Sequence, residues 1–174
     1  NQDSALMPEI VSKEKMPVVS REYGKALKQA GTLGGGNHFI EIQSGSDGYL
    51  WIMVHSGSRN IGKQVADHYN RVAIDLNRRS SRSVPKEWQL AFLPIDSAEA
   101  EGYLLEMRYC VDFAKQNRAL MMANIKRVFS DVMGIGLDDY GEMIDIFHNF
   151  AAVVRHFDSE VVVQIEAEAL TQTG

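Results

Sequence analysis

The clearest pattern of apolar and polar positions lies between two glycine-rich turns in the first third of the chain. Residues 39–43 and 49–54 are rich in aromatic and β-branched side chains, and the cluster GSDG at residues 45–48 separates them. Alternating apolar runs around a glycine-rich turn are typical of a β-hairpin. The pattern therefore predicts two short antiparallel strands with a histidine at the outer end of each.

The position of the turn determines which residues of this hairpin face each other. If the turn centres between Ser46 and Asp47, His38 lies directly opposite His55. Opposed side chains have Cβ atoms about 4.5–5.5 Å apart, so the two imidazoles could bind one ion or two adjacent ions. The other side chains of that face would form an apolar floor of Ile40, Ile42, Trp51 and Met53. Spacing alone leaves open a hairpin that carries histidines by chance.

Helical periodicity accounts for much of the remaining chain. Residues 21–30 contain helix-forming residues and stop at Gly31, and residues 61–76 place apolar side chains at nearly fourfold spacing. Residues 97–132 form the longest helical stretch, with Ser97 as the predicted N-cap. Residues 143–152 predict a buried strand or a strand-to-loop transition. The mixture favours an α+β fold.

Composition limits the class of protein. The chain has 174 residues, of which 45% are hydrophobic and 24% charged, and this predicts a single domain over residues 1–174. No apolar run reaches about 18 residues and no secretory leader is recognised, so we expect no membrane partner. The single cysteine, Cys110, falls on the apolar face of the long helix and predicts a core thiol in a cytoplasmic protein. The net charge of −5 confines any RNA contact to a local patch.

Glycines and basic residues near the histidines suggest anion binding. Residues 34–36 and Gly57 lack a Cβ that would hold a ligand away from the backbone. Arg59 follows the second turn where a helix begins, and could grip a phosphate or act as a structural arginine on backbone carbonyls. The only basic run, which could contact RNA or form a solvated helix end, consists of Arg78, Arg79, Arg82 and Lys86.

Several motifs closely resemble those of one family. The segments GTLGGGNHFIEI at residues 31–42 and VHSGSR at residues 54–59 resemble the signature of the RtcB family, the GTP-dependent RNA-splicing ligases. The resemblance continues through residues 93–121, which are similar to the family's long helix ending in an Asn-Arg pair, here Asn117 and Arg118. It also includes the tripeptide Phe-His-Asn at residues 147–149. The resemblance implies an RtcB-like fold in which β-hairpins pack with long helices. It also implies that this chain is a central fragment of the catalytic domain.

The resemblance also implies a reaction. In the family two manganese ions are held by histidines, an aspartate and a bridging cysteine. GTP guanylylates a histidine, GMP passes to an RNA 3′-phosphate, and a 5′-hydroxyl then displaces it. We therefore expect Mn²⁺ and GTP as cofactors and RNA with 3′-phosphate or 2′,3′-cyclic phosphate and 5′-hydroxyl ends as partner. Missing segments of the same gene product are further expected partners, and self-association is expected if apolar surface stays uncovered.

The resemblance assigns roles to individual residues. It implies His38, His55 and His148 as metal ligands and Arg59 as a catalytic residue near the reacting RNA phosphate. It implies seven contacts to the guanine nucleotide or its phosphates: Asn37, His38, Phe39, Ile40, Glu41, His148 and Asn149. On the predicted long helix, the polar residues Asn117 and Arg118 are expected to support the site from behind.

Departures from the family pattern leave other functions open. The aspartate and cysteine motif is expected before residue 1 and the guanylylated histidine beyond residue 174. Residues 161–174 read VVVQIEAEALTQTG, where the family usually has a Val-His-Arg-Lys-Gly-Ala-like run. We therefore expect the chain alone to be inactive. The alternatives are a non-catalytic binding or scaffold module and a metal-dependent phosphoesterase that uses water as nucleophile.

Overall fold

The computed structural model describes residues 7–79, 85–88, 90–147 and 150–165. Within them three helices and two hairpins are formed, and the predicted α+β class is confirmed. In chain order the elements are α1 (Pro17–Gln29), β1 (Phe39–Ser44), β2 (Leu50–His55), α2 (Arg59–Arg79), α3 (Ala98–Met133), β3 (Phe150–His156) and β4 (Ser159–Ile165). Single 3-10 turns lie at Lys86–Trp88 and Leu137–Asp139.

The chain divides into two compact units, residues 1–135 and residues 136–174. The first contains the three helices and the β1–β2 hairpin, and the second contains the β3–β4 hairpin. In the second unit Phe150 pairs with Ile165 and His156 with Ser159. The strand expected within residues 143–152 begins only at Phe150, because residues 141–147 adopt no regular structure. A single domain over residues 1–174 stays a prediction.

The hydrophobic core of the first unit lies where its three helices meet. The helices contribute apolar side chains three or four residues apart, which places them along one face of each helix. The core side chains include Val18, Val19 and Ala26 of α1, Ile61, Val65 and Tyr69 of α2, and Tyr109, Cys110 and Phe113 of α3. Phe113 is fully buried, and burying a side chain of its size stabilises the fold by about 1.5–3 kcal/mol. The prediction that Cys110 is a core thiol is confirmed.

The ends of the helices follow local sequence signals, with one exception. Ser97 caps α3 by accepting a hydrogen bond from the Ala100 N–H at 3.1 Å, and α3 ends at Gly134 with φ +69°. The first helix begins at Pro17, four residues before the predicted start. Proline fits the first helical position because its missing N–H would have no partner there.

The β1–β2 hairpin forms as predicted, but its register differs by one residue. Phe39, and not His38, lies opposite His55. The Gly45 N–H donates to the Tyr49 carbonyl at 2.8 Å, and Gly48 has φ +84°. These features define a three-residue loop whose last residue is a left-handed glycine, so the turn centres on Asp47.

The shifted register places different side chains on each face of the hairpin. A change of one residue moves every side chain of a strand to the opposite face relative to its partner. Ile40 and Ile42 therefore share a face with Val54 and Ile52. Phe39, Glu41, Trp51, Met53 and His55 lie on the other face. The predicted floor of Ile40 and Ile42 with Trp51 and Met53 is wrong.

Candidate functional site

Three segments of the first unit meet at one end of the hairpin. They are the glycine-rich loop before β1 (residues 31–38), the turn after β2 (residues 56–58) and the start of α2. The Ser56 hydroxyl donates to the Leu33 carbonyl at 2.8 Å, and the Arg59 Nε donates to the Thr32 hydroxyl at 3.2 Å. These hydrogen bonds connect the loop to the turn and to the first residue of α2.

The two histidines of the hairpin lie close together despite the shifted register. The ring centroids of His38 and His55 are 5.9 Å apart with an angle of 55° between the ring planes. A metal–nitrogen bond of about 2.1 Å places an ion roughly 3.2 Å from the centroid of its imidazole ligand. Two rings that share one ion therefore have centroids at most about 6.4 Å apart. The observed centroid distance lies within this upper bound.

Gly34 provides a bare backbone surface beneath a basic side chain and an imidazole. A Cβ built on Gly34 would overlap the Arg59 guanidinium and lie 2.5 Å from the His38 Nδ1. The His38 Nδ1 is buried and has no hydrogen-bond partner among the residues that the structure describes. Gly34 itself is exposed, with φ +99°. We call this arrangement of Gly34, His38 and Arg59 the Gly34 cradle.

Arg59 adopts an unusual backbone conformation at the start of α2. Its φ is +59°, a left-handed value that costs a non-glycine residue about 1–2 kcal/mol. Such strain persists only where the surrounding structure imposes it, and it is concentrated at functional sites. The next N–H, that of Asn60, lies 3.4 Å from the Gln29 Oε1, which joins the end of α1 to the start of α2.

The loops of the site rest on a buried carboxamide of α3. Asn117 is fully buried, and its Nδ2 lies 3.0 Å from the Ser56 Oγ and 3.3 Å from the Gly57 carbonyl oxygen. The neighbouring Arg118 donates from Nη1 to the Ser56 carbonyl at 3.2 Å. Asn117 and Arg118 therefore contact these loops from α3, and their support of a functional site stays a prediction. The hydrogen bonds of Ser56 to Leu33 and Asn117 were not predicted, and the only sequence signal for them is a hydroxyl between a strand end and a glycine.

The residues predicted to contact the nucleotide differ in where they lie on the hairpin. Phe39 packs edge-on against His55, with ring centroids 5.2 Å apart. Asn37 and Glu41 are exposed, and Ile40 lies on the face of the hairpin opposite to His55. The proposed roles of these residues stay predictions.

Two predicted site residues lie outside the described residues. His148 and Asn149 belong to the interval between residues 147 and 150, so the structure gives no geometry for them. In the described part of the chain, no cluster of three histidine, cysteine or acidic side chains could hold a metal ion. The converging imidazoles and the unpartnered His38 Nδ1 fit part of a divalent metal site. His148 stays the predicted third ligand.

The predicted basic run is only partly described. Arg78 and Arg79 are exposed at the end of α2, and Arg78 forms an exposed ion pair with Asp75 at 3.5 Å. Arg82 and the side chain of Lys86 lie outside the described residues. In the ranges that the structure covers, no helix is both long and apolar enough to cross a membrane.

The family model and the curated relatives that match this chain agree on one family. The family model for "tRNA-splicing ligase RtcB" matches residues 5–165. The chain is 31% identical over 153 residues to RNA-splicing ligase RtcB of Mycobacterium tuberculosis, covering 80% of this chain and 34% of that protein. It is 33% identical over 165 residues to tRNA-splicing ligase RtcB of Archaeoglobus fulgidus, covering 86% and 33%.

A eukaryotic relative shows the same partial coverage. The chain is 34% identical over 166 residues to RNA-splicing ligase RtcB homolog 1 of Entamoeba dispar, covering 86% of this chain and 29% of that protein. The chain thus spans about a third of the length of the curated relatives it matches. The family model, however, covers nearly the whole chain, including the Gly34 cradle, both hairpin histidines and Asn117. This chain therefore belongs to the RtcB family.

Proposed function

We propose that the chain carries part of the catalytic centre of an RNA ligase. The proposed reaction joins RNA 3′-phosphate or 2′,3′-cyclic phosphate ends to 5′-hydroxyl ends, with GTP and Mn²⁺ as cofactors and a guanylylated histidine as intermediate. Family membership supports the ligase class, since the relatives are named as RNA- or tRNA-splicing ligases. The chemistry of the Gly34 cradle supports the phosphate as the group bound here.

The observation that carries the proposal is the convergence of Arg59 and His38 on the bare backbone of Gly34. A phosphoryl group needs positive charge and N–H donors against its oxygens as it is transferred. Arg59 offers a planar pair of donors that matches two phosphate oxygens. The absence of a side chain at Gly34 leaves room for the Arg59 guanidinium and the His38 ring to lie side by side over the backbone. The cradle therefore suits a phosphate better than it suits an apolar ligand.

The proposed metal ligands are His38, His55 and His148. A divalent ion bound there would act as a Lewis acid toward phosphoryl oxygens. His38 and His55 would hold it from the hairpin side, and Arg59 would orient the phosphate beside it. The proposed nucleotide contacts are Asn37, His38, Phe39, Ile40, Glu41, His148 and Asn149.

The hairpin provides support for a further proposal about partners. Large apolar side chains are exposed on both of its faces, including Ile42 at 54%, Leu50 at 55% and Trp51 at 48%. A two-stranded hairpin is at best marginally stable by itself, and large exposed apolar patches mark interfaces. We propose that other segments of the same gene product cover this surface. Self-association is the alternative for the chain alone. A cytoplasmic location is also proposed, and the free Cys110 thiol is consistent with it.

The test uses the complete gene product. We expect Mn²⁺-dependent covalent labelling by GTP radiolabelled in the α-phosphate, followed by joining of RNA with 3′-phosphate and 5′-hydroxyl ends. H38A and H55A should abolish both. The chain of residues 1–174 alone should not be labelled. Hydrolysis of the RNA ends without labelling would favour the phosphoesterase, and metal binding with neither reaction would favour the non-catalytic module.

A further inference from the structure

Asn117 pairs with a backbone segment in the way that a neighbouring peptide group would. Its Oδ1 accepts a hydrogen bond from the Thr32 N–H at 3.1 Å, and its Nδ2 donates to the Thr32 carbonyl at 3.2 Å. The carboxamide is fully buried, so water does not compete for these hydrogen bonds. Thr32 is thereby fixed to α3, two residues before Gly34.

The same carboxamide also fixes the turn after β2. The Asn117 Nδ2 lies within hydrogen-bonding distance of the Ser56 Oγ and the Gly57 carbonyl oxygen. The Ser56 hydroxyl in turn donates to the Leu33 carbonyl, which closes a network between the two loops. One side chain of α3 therefore sets the distance between the loop that carries His38 and the turn that leads to Arg59.

We propose that Asn117 is a positioning residue that holds the Gly34 cradle in its working geometry. It does not contact the cradle itself: it acts through Thr32, Ser56 and Gly57. The catalytic part of this inference rests on the proposed function, whereas the loop geometry can be tested without it. Only a carboxamide offers a donor and an acceptor side by side, so no apolar or acidic substitute reproduces the pairing with Thr32.

The chain contains a matched control for this substitution. Asn77 is also buried, and its carboxamide pairs with the Phe92 backbone in the same way. Its Nδ2 donates to the Phe92 carbonyl at 2.8 Å and its Oδ1 accepts from the Phe92 N–H at 3.0 Å. Asn77 lies near the far end of α2, roughly 27 Å along the helix axis from Arg59. N77A therefore removes the same type of interaction away from the cradle.

The experiment compares N117A with N77A in the complete gene product. Both variants should lower the melting temperature, and N117A should lower it more because it also loses the contacts with Ser56 and Gly57. N117A alone should accelerate amide hydrogen exchange at Thr32 by at least about tenfold, because that N–H loses its acceptor on the Asn117 Oδ1. Under saturating GTP and RNA, N117A should lower kcat by about 10- to 100-fold, which is the effect of misplacing reacting groups by about 1 Å. N77A should stay within about twofold of the wild type.

The outcomes separate this inference from the proposed function. Equal loop exchange in N117A and N77A, or equal kcat in the two variants, would overturn the positioning role. If the wild type neither labels nor ligates, the proposed function fails, and the exchange comparison still decides whether Asn117 holds the loops. If N117A does not fold, S56A replaces it. S56A removes the hydrogen bond to Leu33 and one hydrogen bond from Asn117, and it should accelerate amide exchange at Thr32 by a smaller factor than N117A does.

Discussion

Replacement of Gly34 by alanine tests the Gly34 cradle most directly, because the neighbouring glycines provide two controls. Gly34 and Gly36 both have positive φ, +99° and +77°, whereas no positive φ is found at Gly35. A Cβ on Gly34 would overlap the Arg59 guanidinium, but a Cβ on Gly35 or Gly36 meets nothing within 4 Å. The three substitutions therefore separate backbone strain from displacement of the cradle.

The expected changes in stability follow from backbone strain and from displacement of the cradle. G35A should change the free energy of unfolding by less than about 1 kcal/mol, and it can stabilise by reducing the entropy of the unfolded chain. G36A should lower it by about 1–2 kcal/mol, which is the cost of a left-handed alanine. G34A should lower the free energy of unfolding by the same strain energy and by about 1 kcal/mol in addition. The additional loss arises because Arg59 must move and loses its hydrogen bond to Thr32.

The expected effects on function are larger and more selective. In the complete gene product, G34A should reduce ligation by about 10²–10³-fold, as removal of one charged donor from a transition state does. G35A and G36A should retain activity within about fivefold. Urea unfolding measures the stabilities, and single-turnover RNA joining measures the function. Equal activity of G34A and G36A would refute the idea that Arg59 and His38 converge on Gly34 to bind a phosphate.

Four further predictions concern the rest of the chain. Burial, and to a smaller extent the charge of Glu106, raises the pKa of Cys110 to about 12. The thiol therefore stays neutral in the native state, whereas in the unfolded chain it ionises above pH about 9. The free energy of unfolding should therefore fall as pH rises, by about 1.4 kcal/mol at pH 10 from this group, and the pH slope of unfolding should be shallower in C110A. R59K keeps the charge but loses the planar donor pair and the hydrogen bond from Nε to the Thr32 hydroxyl. It should lower kcat by at least about tenfold in steady-state kinetics and cost about 1 kcal/mol in the free energy of unfolding. The Glu106 Oε1 accepts a hydrogen bond from the Val19 N–H at 2.7 Å and so caps α1 from α3. E106L should lower the free energy of unfolding by about 1–3 kcal/mol in urea, whereas E106Q keeps an acceptor and should lower it less. The chain alone should sediment as oligomers at micromolar concentration, and I42K should shift it toward monomer; a monomeric wild type would contradict this.

Local signals in the sequence were sufficient for α2 and α3, but not for the start of α1 or for the hairpin register. Ser97 and Gly134 mark the ends of α3 by capping chemistry that depends on neighbouring residues alone. The turn of the β1–β2 hairpin offered two solutions, with two or three loop residues. The left-handed Gly48 selects the longer one. Because side chains alternate along a strand, this single residue changed the composition of both faces.

Contacts between distant segments were the least predictable part of the site. Asn117 was expected behind the site as a polar residue on the predicted long helix, but its pairing with Thr32 depends on packing between segments 85 residues apart. The position of Ser56 between a strand end and a glycine did not indicate its contacts, which form only because Leu33 and Asn117 are both adjacent. Hydrogen bonds of this kind have no periodicity that a sequence could display.

The histidines converge for a reason different from the one that the sequence suggested. The prediction placed His38 and His55 together by strand pairing, and that pairing is wrong by one residue. His38 lies just outside β1, so the loop that contains Thr32 and Gly34 determines its position more than the strand ladder does. That loop is anchored to α3 through Asn117. The site is therefore assembled by loops held on a helix, and its geometry should respond more strongly to changes at this anchor than to changes in the hairpin turn.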